Sequence, residues 1–139
     1  MNRMPEAGYT EKTVISINKK SINYITLAIF APLLILVGVA GFLIPPQLSL
    51  TSGAPAYNVF HIFFGVVGLA MLWSRNELLI SFFNLGFGLI DIYQAVASYL
   101  QLPPKQYFLW TGVDDILHIV IGLLLVMIGA YGLVRSRQV

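Results

Sequence analysis

His61 and His118 are the only histidines in the 139-residue chain, and each lies within an apolar segment. Neutral imidazole is a usual axial ligand of haem iron and would serve chlorophyll magnesium equally, which makes both histidines candidate ligands of a tetrapyrrole. Hydrogen bonding alone is the plainer role. Asp114 and Asp115 stand four and three residues before His118, and Asn58 three before His61, spacings that bring side chains together on one helix. Polar pairs of this kind fix packing in membrane bundles at about 0.6–2 kcal/mol each. Asp91 is the other residue that a hydrocarbon environment should exclude, at a cost of at least about 2.5–3.5 kcal/mol near mid-span. It should find an inward partner such as a histidine or Tyr93, or else mark a path for protons or ions. Asn58, Asp91, Asp114 and Asp115 form the expected buried polar network.

Other chemistries lack their residues. The chain has no cysteine, so disulfides, thiolate metal sites and cysteine nucleophiles are absent. Two histidines and a distant aspartate fall short of a tetrahedral metal site. There is no glycine-rich phosphate loop, no plausible serine–histidine–aspartate set and no pair of carboxylates in a pocket. Asp114 and Asp115 are adjacent acids at a helix start, where the helix dipole alone accounts for them. The expectation is a protein that is not an enzyme.

The two histidines also reveal how the chain is organised. Asn58-Val-Phe-His61-Ile-Phe-Phe-Gly65 aligns without a gap on Asp115-Ile-Leu-His118-Ile-Val-Ile-Gly122, at an offset of 57 residues. The same offset pairs Phe30 with Phe87, Val39-Ala40 with Val96-Ala97, Leu43 with Leu100 and Pro46 with Pro103. This is a tandem duplication of a two-helix unit.

Composition sets the environment. Hydrophobic residues make up 58% and charged residues 10% of the chain, and the mean hydropathy is +0.81. A soluble domain does not have this balance. Four stretches, residues 22–44, 56–73, 78–100 and 113–134, are each long enough to cross a hydrocarbon core of about 30 Å. The fold class is therefore all-α: a polytopic membrane protein with four transmembrane helices between short tails, residues 1–21 and 135–139. The first apolar run follows some twenty polar residues and leads into Pro45-Pro46, which does not suit a cleavable signal peptide. The pI near 9.0 is explained by anchoring to anionic lipid headgroups and calls for no nucleic acid.

Local signals mark the helix ends. Pro45-Pro46 and Pro103-Pro104 stop the first and third spans at matching positions. Ser74-Arg-Asn-Glu77 and Thr111-Gly-Val-Asp114 read as capping boxes, and the short link between the second and third spans forces an antiparallel hairpin. The stretch Pro46–Pro55 reads as flexible. Asn58, His61, Gly65 and Gly68 form a stripe on the second span, and Asp115, His118, Gly122 and Gly129 on the fourth. Asn84, Gly88, Asp91, Ala95 and Ser98 line the third, and Gly38 and Gly41 the first. Small and polar residues collect where membrane helices touch. The stripes should converge around a pseudo-two-fold axis along the membrane normal, with both histidines inward at equal depth. Tyr24 and Trp73 are expected at one interface, and Tyr57, Tyr107 and Trp110 at the other.

The pattern of four spans, with Asn-x-x-His opening the second and Asp114-Asp115-Ile-Leu-His118-x-x-x-Gly122 opening the fourth, resembles domain-of-unknown-function membrane proteins of cyanobacteria and other bacteria. The resemblance covers about Tyr24 to Val134 and rests chiefly on Asn58, His61, Asp114 or Asp115, and His118. The family pattern carries Asp-Asn where this chain has Asp114-Asp115, which adds acidity beside His118. The resemblance implies an integral membrane location and the repeat, and supplies no reaction.

These features point to a small accessory subunit docked among other membrane proteins of a photosynthetic or respiratory complex. A haem- or chlorophyll-binding protein using His61 and His118 is the alternative, and a small channel or transporter comes third. The expected location is a bacterial inner membrane or thylakoid membrane. Arg3, Lys12, Lys19, Lys20, Arg75, Arg135 and Arg137 fall on one side and only Lys105 on the other, so both termini should be cytoplasmic. Protease added to intact cells should therefore leave the N-terminal tail whole, and its removal from outside would contradict the assignment.

Overall fold

The computed structural model describes residues 20–137. The helices are α1 (Ile22–Leu43), α2 (Pro55–Ser74), α3 (Glu77–Leu100), the short α4 (Lys105–Phe108) and α5 (Gly112–Ser136). The four long ones are each apolar enough to cross a membrane, and the chain is an all-α, multi-pass membrane protein. Their bounds fall within two residues of the sequence reading, because turn and cap residues fix them. The basic residues Arg3, Lys12 and Lys19 lie outside the described residues.

The caps agree with the sequence at one end of the bundle and correct it at the other. Thr111 caps α5 through a complete capping box: its hydroxyl accepts from the Asp114 backbone N–H, and the Asp114 carboxylate accepts from the Thr111 N–H. Before α3 the cap is Asn76, whose side-chain oxygen accepts from Leu78 and Leu79. Ser74 instead completes α2, and Arg75 turns the chain in the left-handed region at φ 53°. The amide side chain of Asn76, one residue before the helix, fits the cap role that Ser74 is too distant to fill.

The duplication is visible in the packing. α1 runs along α2 and α3 runs along α5, while α2 and α5 have no backbone contact. Glycines set the register of each hairpin. A Cβ built on Gly65 would lie 2.8 Å from the Ala31 carbonyl oxygen, with Ile35 also against it. A Cβ built on Gly122 would lie 2.9 Å from the Gly88 carbonyl oxygen, with Ile92 against it. Ala31 and Gly88, and Ile35 and Ile92, are each 57 residues apart, so both hairpins make the same contact in the same register. Between hairpins, two residues touch their own repeat mates, as residues beside a pseudo-two-fold axis must. The rings of Phe30 and Phe87 meet edge to face at 5.4 Å, and the Tyr57 hydroxyl bonds Asp114 at 2.9 Å.

We call the end where α1 begins and α5 finishes the terminal end, and the opposite one the loop end. The anticipated stripes of α2 and α3 are buried throughout. On α5 the buried stripe begins at Asp114, with Asp115 only half-buried. The outer surface is what lipid requires, with Ile29, Leu36, Phe63 and Val120 exposed. Two expected interface aromatics depart from that surface: Tyr57 and Trp110 are buried with Ala54 and Ala97 in a cluster at the loop end. Tyr107 and Trp73 remain exposed.

Replacing Gly65 or Gly122 with leucine should overpack a hairpin and cost about 1–3 kcal/mol. Gly86→Leu is the control, since a Cβ there meets nothing within 4 Å. Thermal melting in detergent should show both core variants falling and the control holding, and equal melting of all three would contradict this register.

Candidate functional site

The polar residues singled out by the sequence gather in the loop-end half of the bundle, and Asp114 is their centre. Its side chain is fully buried. One carboxylate oxygen accepts from the Ser52 N–H at 2.9 Å, the Thr111 N–H at 2.8 Å and the Thr111 hydroxyl at 2.9 Å. The other accepts from the Tyr57 hydroxyl at 2.9 Å. Four donors and the N-terminus of α5 satisfy a charge that would otherwise be very costly in such a place. The bonds tie both loops, α2 and α5 together. One further bond locks the loops to each other, donated by the Ser52 hydroxyl to the Phe108 carbonyl, and the Leu50 carbonyl lies 3.0 Å from the Thr111 hydroxyl as an alternative acceptor for its single proton. The segment that reads as flexible in the sequence is therefore pinned at Ser52.

Both histidines are buried in the interior of the bundle. The expected bonds to their helix neighbours do not form. His61 Nδ1 is 2.8 Å from the backbone oxygen of Tyr57, a bond within its own helix. Its ring lies between Tyr57, at 4.0 Å, and Phe60, at 5.6 Å. The Asn58 amide donates to the Gly53 carbonyl instead, and the Asp114 oxygens are taken by the loops. His118 Nδ1 has no protein partner, and its ring meets Trp110 at 6.0 Å. Asp91 packs at the α3–α5 crossing beside Gly122, one turn deeper than His118. Tyr93, a proposed partner for it, points outward and donates to the Pro103 carbonyl at 2.8 Å.

The second repeat is the more polar. Gln94 is buried with neither amide atom bonded to protein, and Asp115 Oδ1 and Trp110 Nε1 are likewise unpartnered. The first repeat has Leu34 in place of Asp91 and Val37 in place of Gln94. Nothing in the sequence marked Gln94, because glutamine is common on exposed helix faces.

A second polar tie holds the terminal end. The Asn84 amide donates to the Asn23 side-chain oxygen at 2.9 Å, and the Asn23 amide donates to the Ile128 carbonyl at 2.9 Å, linking α3, α1 and α5. Asn23 is missing from the stripes read in sequence because it lies one residue inside α1. The buried series Asn23, Leu27, Ala31, Leu34, Gly38 shows that the stripe extends to it.

Between the two polar ends lies an apolar plug of Leu34, Phe87 and Leu125. Phe87 makes ring contacts with Phe30, Phe60, Phe64 and Phe83, at centroid distances of 5.2–6.0 Å. The plug interrupts any polar route between Asp91 and the Asn23–Asn84 pair. The imidazoles are themselves packed against protein rings, His61 against Tyr57 and Phe60 and His118 against Trp110. Among the described residues, no three His, Asp or Glu side chains come together to hold a metal ion. No family model, curated protein or solved structure matches the chain.

Proposed function

We propose that this protein is a non-catalytic accessory subunit that docks with other membrane subunits of a larger bacterial complex, photosynthetic or respiratory in kind. The observation that carries this reading is the loop end. Its loops hold Leu48, Leu50, Tyr107 and Leu109 at 62–77% exposure, on a backbone fixed by the Asp114 bonds. A rigid apolar platform beyond the helix ends suits a partner surface better than water. The most heavily bonded of the described residues serves to hold these loops, and its oxygens are already taken by donors, which favours a structural role over a reactive one. The rings packed on both histidines weigh against a tetrapyrrole carrier, and the apolar plug weighs against a channel. The location that suits this role is a bacterial inner membrane or thylakoid membrane, with both termini cytoplasmic.

Extraction of native membranes in a mild detergent should bring the full-length protein out with a complex far larger than itself. The triple variant Leu50→Ser, Tyr107→Ser, Leu109→Ser should melt as the parent does and migrate alone. Migration of the parent as a free small protein would contradict the proposal, as would unchanged co-migration of the variant.

A further inference from the structure

At the terminal end, a cleft of about 940 Å³ opens between the start of α1, the start of α3 and the last three turns of α5. We propose that it binds one phospholipid of the adjacent leaflet, with the phosphate between Lys20 and Arg135 and a hydrogen-bond-donating headgroup on Glu77.

The shape is that of a lipid site. The volume lies within the range of about 300–1,000 Å³ typical of ligand pockets. The cleft runs along α5 from Arg135 to Leu124, roughly 16 Å at the helical rise. That is about the depth of one hydrocarbon leaflet. Its chemistry changes along that length as a lipid does. Lys20, Glu77 and Arg135 stand at the mouth, and Leu124, Met127 and Ile128 form the deeper wall. Leu124 and Met127 are 47% and 62% exposed, so this wall is open to acyl chains from the side.

The charges select the headgroup. Two cations and one carboxylate leave a net positive charge of one, which a phosphodiester neutralises. The Lys20 ammonium sits 4.8 Å over the Tyr24 ring, at the level where α1 begins. Glu77 accepts the Ser21 hydroxyl and is exposed at the cleft, which leaves acceptor positions for an ammonium or a hydroxyl. Ethanolamine and glycerol headgroups can donate there, whereas choline has no donor to offer.

The cleft is not a by-product of the repeat. The repeat mates of Asn23 and Asn84 are Ile80 and Leu27, and the matching region of the first repeat is closed by Ile80 and Leu27 with Tyr24, Met71, Leu72 and Phe83. α2 stops at Ser74, the mate of Tyr131, so no counterpart exists for the last turn of α5 that carries Arg135. Gly132 keeps that turn close to the polar floor, where an added Cβ would press on Asn23 and Ser81. The inference depends on the chain spanning a membrane and is independent of what docks at the loop end.

Native mass spectrometry of the full-length protein in detergent tests it, with phosphatidylethanolamine, phosphatidylglycerol and phosphatidylcholine of identical acyl chains. The parent should bind one or both of the first two about tenfold more tightly than the choline lipid. Lys20→Gln and Arg135→Gln should each weaken binding about fivefold, and Glu77→Gln should bring the choline lipid level with the others. Met127→Trp, which narrows the cleft from its exposed wall, should block all three without lowering the melting temperature. Equal binding of the three lipids to the parent would overturn the proposal, as would full retention of lipid when Lys20→Gln and Arg135→Gln are combined. Displacement of bound lipid by inorganic phosphate alone would also overturn it, by showing a site for a small anion.

Discussion

The bond between Tyr57 and Asp114 holds the two halves of this molecule in one arrangement. These residues are repeat mates, brought together beside the pseudo-two-fold axis. Symmetry would set a residue against its own copy there. Two aspartates would repel, and two tyrosines could make only a neutral hydroxyl–hydroxyl bond. Divergence of the pair into a donor and an acceptor turns that conflict into a charge-assisted bond. Lower on the axis, Phe30 and Phe87 remain identical, because two rings can pack edge to face without conflict.

Much else follows from that contact. The same carboxylate gathers Ser52 and Thr111, so the position that joins the repeats also orders the loops. α2 and α5 stay apart at backbone level and are bridged by a side chain, while α1 and α3 with the Phe87 cluster fill the centre. The second repeat carries the polar burden of Asp91, Gln94 and His118 and, at its far end, the longer helix that shapes the cleft. The first repeat is apolar at Leu34 and Val37, the mates of Asp91 and Gln94, and matches His118 with His61. Duplication supplied the scaffold, and the differences between the halves supply its individuality.

The fold was largely legible in the sequence. Spans, hairpins and the repeat all follow from hydropathy, proline stops and a constant offset, and each is a local or additive signal. The polar site was legible only in its membership. His61, His118, Asn58, Asp91 and Asp114 are all buried, yet the bonds expected among them are replaced by others. Helical spacing shows which residues share a face, but it cannot show that a loop will reach in first. Ser52 is an ordinary loop serine in sequence, and its backbone N–H takes an acceptor position that spacing alone would offer to His118. Tyr57 read as an interface aromatic because tyrosine is common there. Only the fold, by placing it opposite its own repeat mate, gives its hydroxyl a buried carboxylate.

A double-mutant cycle on Tyr57→Phe and Asp114→Ala, followed by unfolding in detergent, measures that contact directly. A hydrogen bond to a charged group, made in a buried place, should give a coupling of about 1.5–3 kcal/mol between the two substitutions. Changes that add to within about 0.5 kcal/mol would mean that the two side chains act independently, and would contradict the central place given to their bond.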